Sequence, residues 1–181
     1  SNVTIYLSPS AVLKGSNQLQ DYEAVSLTKI KGLILANNVR NIGFDGTGII
    51  HGSGDDPAFY SSDFANGLAG RPNVFTFFNC EQVRFQGISV HNGGRWNIDL
   101  KECNMVKVDN IRVISRVVAN NDGLDLTDCQ NVTVSNSYFD CGDDAICPKS
   151  TTSKGTKNVV ITNCIIKSES NAIKFGTSGI G

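Results

Sequence analysis

Apolar positions in this chain alternate in short bursts and do not recur every three or four residues. The burst Glu81-Gln82-Val83-Arg84-Phe85-Gln86-Gly87-Ile88 returns as Asn104-Met105-Val106-Lys107-Val108-Asp109-Asn110-Ile111. It returns again as Gln130-Asn131-Val132-Thr133-Val134-Ser135-Asn136-Ser137 and as Lys157-Asn158-Val159-Val160-Ile161-Thr162-Asn163-Cys164. The steps are 23, 26 and 27 residues, and a weaker copy runs from Arg40 to Thr47 with Ile42 and Phe44 inward. Alternation is the period of a strand, and self-similarity at this interval marks a solenoid.

A second short strand follows each burst, as in Ile88-Ser89-Val90 and Ile111-Arg112-Val113-Ile114. Between the two, Gly87, Asn110, Asn136 and Asn163 form one column. Gly and Asn tolerate the left-handed backbone that a tight turn requires. A further strand set holds Val74-Phe75-Thr76-Phe77, Asn97-Ile98-Asp99-Leu100, Gly123-Leu124-Asp125-Leu126, Ala145-Ile146-Cys147-Pro148 and Ala172-Ile173-Lys174-Phe175. Three short strands per turn predict an all-β parallel β-helix of 22–27 residues per rung, a single domain over 1–181. An antiparallel sandwich is the competing arrangement, but it would not repeat its columns so strictly. Gly52 to Pro72 interrupts the pattern. It reads as an inserted loop with a short helical turn, of the kind that walls a groove.

Composition narrows the partners. Of 181 residues 40% are apolar and the net charge is −1, so no nucleic-acid or membrane-surface partner is expected. No stretch is long and apolar enough for a transmembrane span. No leader pattern is present, and Val3 to Leu7 already reads as a strand, so the chain is expected to be a central window of a longer helix. Cys80, Cys103 and Cys129 recur with the rungs and read as a ladder of buried thiols. Cys141 and Cys147 could bridge or stay free. With no Cys-x-x-Cys pair and only two histidines, no metal site is expected.

The chemistry concentrates at Asn120-Asn121-Asp122 and Gly142-Asp143-Asp144, about one rung apart. Stacked strands bring equivalent positions within about 4.8 Å. Asp122 and Asp144 should therefore be neighbours with Asp143 beside them. Carboxyls so close cannot all ionise freely, so at least one should bind its proton more tightly. An acid with carboxylate partners is the equipment of glycosidases. A second Gly-Asp-Asp, at 54–56, precedes Pro57 in the loop and reads as a turn or helix cap.

These two motifs, in this order and spacing, resemble the signatures of the polygalacturonase family, family 28 of the glycoside hydrolases. The resemblance implies a right-handed β-helix that cleaves pectin-type polysaccharide with inversion. It implies Asp143 as general acid and Asp122 with Asp144 as holders of the attacking water. The chain departs from the family at Asn121, where Thr is usual, and at Ser170-Asn171-Ala172, where a Gly-His-Gly step is usual. The family's Arg-x-Lys step would lie beyond Gly181. Further candidates for substrate contact are Asn120, Lys174, Trp96, Asn171, Arg95 and His91. Asn120 is expected to shape the turn that aims Asp122, Trp96 to stack on a sugar, and Lys174 to bind a carboxylate or tune an acid; Asp125 is expected to pair with Lys174.

The expected protein is a secreted or periplasmic monomer acting on a polysaccharide without metal or organic cofactor. A polysaccharide lyase on the same scaffold and a non-catalytic glycan-binding or adhesin module are the alternatives.

Overall fold

A computed structural model describes residues 1–23, 31–59, 70–177 and 179. The chain winds as a right-handed parallel β-helix with three sheets. The first sheet stacks β1 (Val3–Leu7), β4 (Arg40–Gly46), β7 (Glu81–Gln86), β10 (Asn104–Asp109), β13 (Gln130–Ser135) and β16 (Lys157–Thr162). The second stacks β2 (Val12–Lys14), β5 (Ile49–His51), β8 (Ser89–His91), β11 (Arg112–Ser115), β14 (Tyr138–Cys141) and β17 (Ile165–Ser168). The third holds β3 (Gly32–Asn37), β6 (Asn73–Phe78), β9 (Ile98–Lys101), β12 (Leu124–Thr127) and β15 (Ile146–Lys149).

Register follows the apolar columns. In the first sheet Ile42, Val83, Val106, Val132 and Val159 are successive partners, as are Phe44, Phe85, Val108, Val134 and Ile161. In the third, Phe75, Ile98, Leu124 and Ile146 stack fully buried, and Ile173 continues the column through a single bridge. Each such side chain withdrawn from water stabilises the fold by roughly 1.5–3 kcal/mol. Phe44, Phe75, Phe77 and Phe85 pack together near one end of the core with centroids 4.9 to 6.0 Å apart.

The turns need left-handed residues at three columns. Asn110, Asn136 and Asn163 have φ of 53, 52 and 51°, with Gly87 at 77°. A second column is Asn38, Asn79, Glu102 and Asp128, and a third is Asn41, Gln82, Met105, Asn131 and Asn158. Asn side chains then bond from rung to rung, as Asn163 to Asn136 at 2.6 Å and Asn158 to Asn131 at 3.0 Å. The Asn ladder thus meets both the backbone demand and its own hydrogen-bonding capacity.

All six cysteines are free thiols, including Cys141 and Cys147. Cys80, Cys103 and Cys129 stack in the core; the Cys103 thiol raises the proton affinity of Cys80 and the Cys129 thiol that of Cys103, with burial adding to both. The loop from Gly52 to Pro72 is described only at its two ends, since 60–69 lie outside the described residues. Its first end makes a turn at Gly54-Asp55-Asp56 and a 3-10 turn at Pro57–Phe59. Its other end delivers Arg71 beside the acids (below).

Candidate active site

The outward face of the third sheet forms an open cleft of about 570 Å³ that all three acids line. Asp122 and Asp144 sit at the same position of adjacent rungs, since Gly123 N–H donates to the Asp144 carbonyl at 2.9 Å. Asp143 stands beside Asp144, whose N–H donates to Asp143 Oδ1 at 2.9 Å. The Ser168 hydroxyl donates to the Asp143 carbonyl at 2.7 Å and pins this turn.

Asn121 builds the other turn. Fully buried, its Oδ1 accepts from Val117 and Val118 N–H at 3.0 Å each, and its Nδ2 donates to the Gly93 and Arg95 carbonyls at 2.8 and 2.7 Å. Every capacity of the amide is used, and the buried bonds to the Gly93 and Arg95 carbonyls are joined by two to the half-buried Val117 and Val118 N–H groups. Asn97 adds a bond from Nδ2 to the Asp122 carbonyl at 2.8 Å. A Thr at position 121 could not make this set of four.

The carboxyls differ in their surroundings. Burial, then the repulsion of Asp125 and Asp143, raises the proton affinity of Asp122, against the pull of Lys149. Its Oδ1 is buried with no hydrogen-bond partner among the described residues. Burial works in the same direction on Asp144, but Lys174 Nζ at 2.8 Å, Asn171 Nδ2 at 2.7 Å and Ser170 Oγ at 3.1 Å outweigh it and hold this carboxyl below the ordinary carboxylate range. Asp99, which lines the cleft, and the fully buried Asp125 are rung partners. Burial pushes Asp99 up to about 6 and raises Asp125 as well.

Lys149, not Lys174, is the ion-pair partner of Asp125. This corrects the expected pairing: Lys174 lies two rungs from Asp125, and its ammonium is already taken by Asp144. Trp96 lines the cleft, and its ring centroid lies 3.9 Å from both the Arg95 guanidinium carbon and the Lys149 ammonium. The ring therefore serves as a platform for two cations. Arg95 also lines the cleft, largely buried among the fields of Asp99, Asp125 and Asp122.

Asn120 takes the left-handed conformation, φ 57°, and its side chain addresses Asp143 Oδ2 at 3.5 Å. The turn that aims Asp122 is held by Asn121 and Asn97. Asn171 is not among the residues lining the cleft; its Nδ2 donates to Asp144 Oδ1. His91 is not brought to the site. It ends β8 in the second sheet, its ring 6.3 Å from that of His51, and the turn through Arg95 separates it from the cleft. Nothing in the sequence around Lys101 marks it, yet it lines the cleft and has no ion-pair partner among the described residues.

Among the described residues no group of three or more His, Cys, Asp or Glu is arranged to hold a metal ion. None of the described helices is long and apolar enough to cross a membrane.

Comparison with known proteins bears on the fold and the family. The chain is 27% identical to Polygalacturonase-2 of Solanum lycopersicum over 172 residues, 93% of this chain and 35% of that protein. It is 32% identical to Polygalacturonase ADPG1 of Arabidopsis thaliana over 154 residues, 82% of this chain and 34% of that one. It thus spans about a third of the length of these curated relatives. The hyperthermoactive exopolygalacturonase of Thermotoga maritima superimposes with a TM-score of 0.81 at 20% identity, over 96% of this chain and 50% of that one. The polygalacturonase of Erwinia carotovora ssp. carotovora superimposes with a TM-score of 0.80 at 16% identity, over 99% and 58%. At those identities the two structures speak for the fold. The sequence profile of glycosyl hydrolases family 28 matches residues 6–170, and the chain belongs to that family.

Proposed function

We propose that this chain carries the catalytic acids of a hydrolase that cleaves pectin-type polysaccharide with inversion. The observation that carries the reading is the meeting of Asp122, Asp143 and Asp144 in one open cleft among cations. Asp143, at the more accessible edge, donates a proton to the glycosidic oxygen as the bond to the anomeric carbon breaks. Asp144, kept ionised by Lys174, Asn171 and Ser170, takes a proton from the attacking water. Asp122 holds that water from the neighbouring rung. Water arrives from the face opposite the leaving group, so configuration inverts. The residues need no metal or organic cofactor for these steps.

Polygalacturonate is the substrate proposed, on two grounds. The relatives named above are called polygalacturonases, and the Lys101 ammonium, without an ion-pair partner among the described residues, offers a charge to a uronate carboxylate. A polymer of that size is met outside the cytoplasm, so a secreted or periplasmic protein, acting as a monomer, completes the reading.

The tight proton binding of Asp122 favours a second assignment on the same site, with Asp122 as donor. The test uses the full-length protein with Asp122→Asn and Asp143→Asn, polygalacturonate and an aryl galacturonide. Each variant should lose roughly 10²–10⁴-fold on the polymer, and the variant lacking the acid should recover on the aryl substrate, whose leaving group needs no proton. Recovery in Asp122→Asn selects the second assignment. Anomer-resolved NMR should show an inverted product. A retained anomer, an unsaturated product absorbing in the ultraviolet, or binding without turnover would reject the proposal.

A further inference from the structure

We infer that Arg71 is a positioning residue for proton transfer, gripping Asn120 so that its amide nitrogen faces Asp143. The inference rests on the acid role of Asp143 proposed above.

Arg71 enters from the end of the Gly52–Pro72 loop and is largely buried. Its Nη1 donates to the Gly94 carbonyl at 3.1 Å and to the Ala119 carbonyl at 2.6 Å. Its Nη2 donates to Asn120 Oδ1 at 3.1 Å. The acceptors belong to the turns of the next two rungs, those that lead into β9 and β12. One planar fork therefore ties together the entrances of three successive rungs beside the acids. A lysine, whose three donors sit on one nitrogen at the end of a flexible stem, cannot reproduce that planar fork.

The chemistry sets the Asn120 amide without ambiguity. A guanidinium has donors and no acceptor, so Oδ1 must face Arg71. Nδ2 is then directed at Asp143 Oδ2, 3.5 Å away. The other oxygen, Asp143 Oδ1, already accepts from Asp144 N–H. Oδ2 is thus the loosely held oxygen, the one free to carry the transferred proton, and its direction depends on Asn120. Without Arg71 the amide is free to turn over or swing away. Arg71 is not among the residues lining the cleft, so its removal should spare substrate binding.

Full-length wild type, Arg71→Ala, Arg71→Lys and Asn120→Leu are assayed on polygalacturonate, with thermal unfolding in parallel. Loss of Arg71 should lower kcat by about 10- to 100-fold, the cost of misplacing a reacting group by about an ångström, with KM nearly unchanged. Lysine should not restore kcat, whereas guanidinium added to Arg71→Ala should restore part of it. Arg71→Ala and Asn120→Leu should not add when combined, because they act through one contact.

A readout independent of turnover is the side-chain amide of Asn120 in ¹H–¹⁵N spectra. It should shift and broaden in Arg71→Lys, a variant that keeps a buried cation and a long stem should the alanine variant fail to fold. Unchanged kcat, a loss confined to KM, additive effects or an unmoved Asn120 signal would overturn the inference. A wild type without hydrolase activity whose Asn120 signal still responds to Arg71→Lys would sink the hydrolase reading and support the grip of Arg71.

Discussion

Lys174 Nζ stands 2.8 Å from Asp144 Oδ2, and Asn171 Nδ2 donates to the other oxygen of the same carboxylate at 2.7 Å. Two side chains of the next rung thus hold Asp144 as an anion. Its proton affinity is lowered in the fold, so the stability it adds is present above the unfolded value of about 3.9 and is lost as pH falls through the lower folded value. Removing the Lys174 charge should let Asp144 bind its proton at higher pH. Lys174→Met is expected to move the acidic limb of the kcat/KM profile to higher pH while the alkaline limb stays in place. A pH series on wild type and variant checks this; coincident acidic limbs would dissociate Lys174 from the base.

Asp99 has the opposite sign. Burial raises its folded value from 3.8 to about 6, so between those values the folded state binds more protons than the unfolded. Stability from this residue is therefore fully present at low pH and falls as pH rises through that window. Asp99→Asn removes the charge and can keep an acceptor for Asn73 Nδ2, which now donates to Asp99 Oδ2 at 3.2 Å. Thermal unfolding should show the variant more stable by about 1–2 kcal/mol at pH 7 and little changed at pH 4.

Asn121→Ala should be among the most damaging single changes. It deletes four hydrogen bonds, two of them to the Gly93 and Arg95 carbonyls in the buried turn. A loss of roughly 2–4 kcal/mol is expected, measurable as a lowered urea midpoint. Activity should fall more steeply than the folded fraction, because the turn carries Asp122.

Met105 occupies a left-handed column whose next two members are Asn131 and Asn158, with φ of 56, 54 and 55°. It is exposed, so its side chain contributes little to the core. A left-handed backbone costs an ordinary residue about 1–2 kcal/mol, a penalty that Asn largely escapes. Met105→Asn is expected to raise Tm by a few degrees, roughly what 1 kcal/mol gives a domain of this size, with activity unchanged. A lower Tm would mean that Met105 makes a contact the φ argument omits.

The repeat alone determined the architecture. Side chains alternate with a period of two, and a one-residue slip would turn Val83 and Phe85 out to water. The columns that pair in the structure, Phe75 with Ile98 with Leu124 with Ile146, are therefore those readable from the chain. The same periodicity brings Asp122 and Asp144 to adjacent rungs with Asp143 beside them, because backbone spacing settles which residues are neighbours along the stack.

Reach across columns was decided by the tertiary structure. Lys149, and not Lys174, meets Asp125; Trp96 carries two cations; Asn120 turns to Asp143; and Arg71 arrives from a segment that breaks the repeat. Long polar side chains can choose among several partners within a few ångströms, and only packing and competition for hydrogen bonds select one. His91 shows the converse. Its place near the Arg95 turn was legible, but the bend between the second and third sheets sends it to a different face. Periodicity orders residues along the axis of the helix. The direction of a side chain around that axis depends on turns whose geometry is settled by bonds made to other rungs.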